Sequence, residues 1–169
     1  FHVHHLNTST GKMSKSKGEF LTVSLLEEKG YDPLVYRFFC LQSHYRKALV
    51  FTWENLDNAK IAYDKLIARI AALDPKDGPA EEASMTALKE KFQKALDADL
   101  NTSLAITTLY DVLKADMHDA AKLALLDSFD QVLGLSLLAH ADAKRKEAAK
   151  TTSASTASGY QITGEGDPE

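Results

Sequence analysis

The run Gly11-Lys12-Met13-Ser14-Lys15-Ser16-Lys17-Gly18 sets three lysines and two serines between two glycines. Lysine ammonium groups are point charges for phosphate, and serine hydroxyls are small donors. Glycine lets the backbone take positive φ and approach a ligand closely. The composition describes a mobile, cationic, hydroxyl-rich loop that could meet phosphate. A solvated basic turn has a similar composition, so the flanking sequence must decide between them. Upstream, His2-Val3-His4-His5 invites a metal reading, because alternation sets His2 and His4 on one face of a strand. Zinc needs three or four ligands, and none follows nearby. The single cysteine, Cys40, lies in the apolar run Phe38-Phe39-Cys40-Leu41. We expect a polar strand at an active site, no metal ligands, and Cys40 as a small buried hydrophobe.

The elements that must position this loop follow from composition and periodicity. With 169 residues, the chain can form one domain, or a small piece plus a helical domain. One cysteine excludes an internal disulfide. No apolar run reaches membrane-spanning length and no signal peptide is visible, while a first residue of Phe1 suggests that an N-terminal part is missing. The net charge of −4 is unevenly spread. Residues 1–53 carry seven Lys/Arg against four Asp/Glu, and the remainder carries thirteen against twenty. A basic front and an acidic rear suit a phosphate-facing segment followed by a solvated helical body. They exclude a uniformly basic nucleic-acid binder, so any RNA contact must be local.

Phe1 to Thr10 reads as a short strand entering the loop. Thr22 caps a helix over Val23–Lys29 that stops at Gly30. Asp32-Pro33 starts an almost wholly apolar helix from Leu34 to about Tyr45, with Arg37 and His44-Tyr45-Arg46-Lys47 as its polar exceptions. Thr52 caps the next helix, whose Leu56, Ala59, Tyr63, Leu66, Ile70 and Leu73 recur every three or four residues, the seam of a helix packed along a neighbour. Asp74–Pro79 breaks it. A helix from about Ala80 to Ala98 buries Met85, Leu88, Phe92 and Ala95. Asn101 or Thr102 caps another through Leu104, Ala105, Leu109, Val112 and Leu113, and a last one runs from Asp119 to Leu133 and ends at Gly134. From Ala139 an Ala-rich, basic stretch frays out as helix by about Lys150, and a Ser/Thr/Ala tail follows. The expected fold is all-α, an antiparallel helical bundle preceded by a short strand and the loop. We divide the chain into residues 1–50, 51–140 and a linker at 141–169.

The five residues Lys12-Met13-Ser14-Lys15-Ser16 match in order the KMSKS loop of class I aminoacyl-tRNA synthetases. Behind it stand Gly18-Glu19-Phe20 and Thr22, then Asp32-Pro33, Arg37 and Phe38, then Ser43-His44-Tyr45-Arg46 ahead of Phe51, Trp53, Glu54, Asn55 and Leu56. Asp97, Asp99-Leu100-Asn101-Thr102, Ala105 and Val132-Leu133-Gly134 complete the series. This ordered set resembles bacterial cysteinyl-tRNA synthetases over residues 1–140, from the KMSKS loop through the stem-contact region into the DALR-like helical tRNA-binding domain. The ligase that joins cysteine to a glucosaminyl-inositol shares the loop, and is a more distant match in the helices.

The resemblance implies activation of cysteine by ATP and Mg2+ to cysteinyl adenylate, then transfer to tRNA(Cys). It implies that Lys15 binds the ATP phosphates and stabilises charge as pyrophosphate leaves, that Lys12 assists, and that Met13, Ser14 and Ser16 complete the ATP loop. His2 would line the active site, and His44, Tyr45 and Arg46 would contact tRNA in the segment joining catalysis to the tRNA elbow. A cytoplasmic monomer is expected. The family's His-Ile-Gly-His-type motif, its zinc ligands and its anticodon-recognition domain have no counterpart here. We therefore expect this piece to be inactive alone, with the loop mobile or misplaced. The competing reading is a non-catalytic helical RNA-binding or interaction module.

Overall fold

Thr22, Asp32, Thr52 and Asn101 each open a helix by the same device, a side-chain oxygen accepting from an otherwise orphaned amide two or three residues on. The distances are 3.1 Å to Leu25 N, 2.7 Å to Leu34 N, 3.0 Å to Asn55 N and 3.1 Å to Leu104 N. The protein's computed structural model describes residues 4, 6–8, 11–12, 22–79 and 82–157. In chain order these form β1 (Leu6–Thr8), β2 (Gly11–Lys12), α1 (Val23–Glu28), α2 (Pro33–Leu41), β3 (Leu49–Phe51), α3 (Trp53–Ala71), α4 (Glu82–Asp97), α5 (Thr102–Lys114), α6 (Asp119–Leu133) and α7 (Leu137–Ala157).

The expected all-α bundle preceded by a short strand is what forms. Successive long helices reverse direction, so α3 and α7, the first and last of five, run the same way. Tyr63 of α3 meets Leu135 and His140, while the C-terminal carbonyls of α3 meet Arg145 further along α7. The anticipated seam of α3 is buried at Leu56, Ala59, Tyr63, Leu66 and Ile70. Phe92 of α4 stacks flat on Phe129 of α6, ring centroids 4.0 Å apart. Phe38 of α2 meets Tyr63 edge-on, which ties the N-terminal segment to the bundle.

The strands are ordered β2-β1-β3. β1 pairs antiparallel with β2, Asn7 opposite Lys12, and parallel with β3, Leu6 opposite Leu49 and Thr8 opposite Phe51. Phe51 is buried edge-on against Phe39 and feeds directly into the Thr52 cap. β2 and β3 are additions to the expected single strand.

Two expectations on helices are corrected. α2 ends at Leu41 rather than near Tyr45, because the chain must turn through residues 42–48 to bring β3 beside β1. The helix expected through Leu104 forms as α5, with Leu104 40% exposed and Ile106 buried. α7 runs to Ala157, past the residue 150 at which helix was expected to fray, and its first half is part of the bundle, with Leu137 and Ala141 fully buried.

The break between α3 and α4 is docked on the start of α6. Asp119 accepts from Asp74 N at 3.0 Å and Asp77 accepts from Asp119 N at 3.1 Å. The first of these bonds, reinforced by Lys122, holds the Asp119 carboxyl below the usual aspartate range. A carboxyl lowered in the folded state stabilises fully above its unfolded pKa of about 3.9, and the contribution disappears as pH falls through the folded value. Asp119→Asn is therefore expected to lower the melting temperature at neutral pH and to converge with the parent as pH falls through the folded-state pKa. A constant gap across an acid series would contradict this.

Candidate functional site

The corner between α4 and α5 is the only stretch of the described residues where two consecutive non-glycine residues take left-handed backbone, Asp99 at φ 57° and Leu100 at φ 53°. That conformation satisfies the end of α4, since Leu100 N bonds Leu96 O at 2.9 Å and Asn101 N bonds Ala95 O at 3.0 Å. Each such residue costs roughly 1–2 kcal/mol, less for an aspartate. The cost is offset by the turn that follows α2, which closes on Asp99.

All three tRNA-contact candidates converge there. His44 Nε2 lies 2.9 Å from Asp99 O, and Tyr45 Oη donates to Asp99 Oδ1 at 2.5 Å. Arg46 Nε lies 2.8 Å from Asp99 Oδ2 and 2.9 Å from Tyr45 Oη, with Nη2 at 3.3 Å from Oδ1. His44 Nδ1 accepts from Arg46 N at 3.2 Å, so Nε2 carries the proton given to Asp99 O. The His44 and Tyr45 rings stack at 4.8 Å. The cluster is thus not the end of a helix, as the sequence suggests, but a hydrogen-bonded turn. Arg46 remains 65% exposed, so it can meet a phosphate while keeping its carboxylate partner. Asp99 is the residue that sequence reasoning left without a role. Its partners lie 53 to 55 residues away, and no local pattern links them.

The turn also touches the strands. His4 N donates to Tyr45 O at 3.3 Å, two residues ahead of β1, and Thr102 Oγ1 donates to Ser43 O at 3.5 Å. Between them opens a cleft of about 480 Å3 lined by Leu6, Tyr36, Cys40, Leu49 and Leu100 among others. Cys40 is half-buried on this cleft rather than deep in the core. Burial pushes its thiol up, which suits an inert side chain rather than a nucleophile. Burial also raises the Tyr36 hydroxyl, to about 12.

Lys12 ends β2, opposite Asn7 on β1. Met13, Ser14, Lys15 and Ser16 lie outside the described residues, as do His2 and His5. The position of the candidate ATP loop is therefore given by its root alone. Among the described residues no three His, Cys, Asp or Glu side chains gather as a metal site, and no helix is long and apolar enough to cross a membrane.

Residues 1–61 match the family model for the catalytic domain of class I (C) tRNA synthetases. Over 141 residues, 81% of this chain, the sequence is 42% identical to the cysteine–tRNA ligase of Novosphingobium aromaticivorans, covering 29% of that protein. It is 41% identical over 126 residues to cysteine–tRNA ligase 1 of Burkholderia lata, covering 75% of this chain and 26% of the relative. A cysteine–tRNA ligase of Borrelia garinii subsp. bavariensis is 37% identical over 139 residues, with 75% and 29% covered. The chain thus spans less than a third of the length of the relatives it matches.

Proposed function

Because the chain belongs to the cysteine–tRNA ligase family of class I synthetases, we propose that it serves a monomeric, cytoplasmic enzyme that activates cysteine with ATP and Mg2+ and transfers it to tRNA(Cys). In this reading Lys12–Ser16 is the ATP-phosphate loop and the bundle contacts tRNA. Adenylate formation leaves negative charge on departing pyrophosphate, and a preorganised cation lowers the energy of that transition state. Lys15 supplies it, Lys12 assists from the end of β2, and Ser14 and Ser16 shape the backbone between them. Arg46, tied to Asp99 and exposed, is the donor we assign to the tRNA backbone. The piece alone lacks the remainder of the nucleotide site and is inactive.

The observation that carries the reading is the ordered run Lys12–Ser16, whose first residue ends β2, within the stretch that matches the synthetase catalytic domain. The acceptor decides between this and the aminosugar ligase. The full-length protein, given labelled cysteine, ATP and both acceptors, is expected to charge tRNA(Cys) and to leave the amine of a glucosaminyl-inositol unmodified. Amide formation on the sugar, or no cysteine-dependent exchange of pyrophosphate into ATP, would overturn it.

A further inference from the structure

The contacts of Asp99 form a chain that reaches the strand preceding the candidate ATP loop. From the α4–α5 corner, its carboxylate and carbonyl hold Tyr45, Arg46 and His44. The main-chain carbonyl of Tyr45 holds the amide of His4. Two residues later the chain enters β1, which pairs with β2 and so carries Lys12. The same turn leads through Lys47 into β3, the other neighbour of β1. Both supports of β1 on this side therefore start from a turn that closes on Asp99 of the bundle, with Thr102 Oγ1 on Ser43 O beside it.

We propose that Asp99 is a positioning residue, a latch through which the helical bundle sets β1 and the root of the Lys12–Ser16 loop. The inference rests on the ATP-loop reading above. The latch has a charge pair, Asp99 with Arg46, together with a charge-assisted bond from Tyr45 and a neutral one from His44, so it holds the turn in one register. The left-handed corner serves the same end, because it turns Asp99 back from the end of α4 toward residues 44–46. An RNA phosphate that meets the exposed Arg46 shares its guanidinium with the Asp99 carboxylate, so RNA at the bundle can be felt at the loop.

Glycine adopts left-handed backbone without penalty, so Asp99→Gly keeps the corner and removes only the side-chain latch. Asn is the other residue that tolerates this conformation, and Asp99→Asn keeps an acceptor for Tyr45 but not the charge. Both are made in the full-length ligase and assayed by cysteine-dependent ATP–pyrophosphate exchange, alone and combined with Lys15→Ala. Small displacements of a catalytic group are expensive, and Asp99→Gly is expected to lower kcat about tenfold, Asp99→Asn less, with KM for cysteine unchanged. Because the effect passes through the loop, Asp99→Gly is expected to add little to Lys15→Ala. An unchanged kcat, a loss carried in KM for cysteine, or full additivity with Lys15→Ala would each overturn the latch. If Asp99→Gly does not fold, the same criteria apply to Asp99→Asn. Failure of the ATP-loop reading is distinguishable, since Lys15→Ala alone would then retain full exchange.

Discussion

Lys15→Ala in the full-length ligase is expected to lower kcat for cysteine-dependent ATP–pyrophosphate exchange by roughly 10²–10³-fold, about 3–4 kcal/mol of transition-state stabilisation. ATP already carries charge in the ground state, so a lysine that merely held phosphates would affect KM and leave kcat intact. The added charge on departing pyrophosphate develops only as the α-phosphate is attacked, and an interaction that strengthens at that moment appears in kcat. The composition favours this role. Residues 1–53 have a Lys/Arg excess because acids are few there, whereas the rest of the chain is acidic, so the loop lies in the stretch of net positive charge. Affinity for tRNA(Cys) is expected to stay within about twofold, because one phosphate contact among several contributes little to the whole. Lys15→Arg keeps the charge but replaces a compact ammonium with a planar fork, so partial recovery is expected. A rise in KM for ATP at constant kcat would reduce Lys15 to a ground-state ligand. Unchanged exchange would remove the loop from the chemistry.

What could be read from the sequence and what could not divide along a physical line. Signals that act within one helical turn were legible. Thr52 and Asn101 cap the helices they were expected to cap, and α6 begins at Asp119 and stops before Gly134, whose φ of 62° is the left-handed exit glycine favours. The α3 seam was legible because periodicity reports one buried face. Pairings between distant segments were not. β3 is three residues long, too short for alternation to register, and exists because β1 lies 43 residues earlier. The apolar run that made α2 appear to continue to Tyr45 is divided by Gln42 and Ser43, and there the tertiary pairing decides. His44, Tyr45 and Arg46 stand out from a family pattern, yet what brings them together, Asp99, belongs to that pattern without any sign of its partners. Leu104 fits the apolar stripe of α5 but lies on its exposed edge.

The first half of α7 shows the same limit most sharply, and Arg145→Ala measures it. After Ala141 the helix offers no apolar stripe, which is why it reads as a fraying tail. Its anchor is polar. The Arg145 guanidinium donates to three carbonyls at the end of α3, Ala71 O at 2.9 Å, Ile70 O at 2.9 Å and Leu73 O at 3.2 Å, and also pairs with Asp142. The last carbonyls of a helix have no partner within it and carry its negative end, so a cation there satisfies bonds and complements the dipole. Tyr63 fixes the other end of the same interface, donating to Leu135 O at 2.7 Å. A charged hydrogen bond contributes about 1.5–3 kcal/mol, and these three share one side chain that is 25% exposed. Together they are expected to contribute about 2–3 kcal/mol to keeping α7 on α3. Amide exchange across residues 137–145 and 70–73 should accelerate roughly 30- to 150-fold in Arg145→Ala, with the α4 and α5 amides unaffected. Arg145→Met, which keeps the apolar stem and loses the donors, is expected to lose nearly as much. Protection unchanged in both variants would mean that the guanidinium is a surface group and that α7 is held by Leu137 and Ala141 alone. Loss in Arg145→Ala with recovery in Arg145→Met would assign the anchor to the stem's packing instead of its hydrogen bonds.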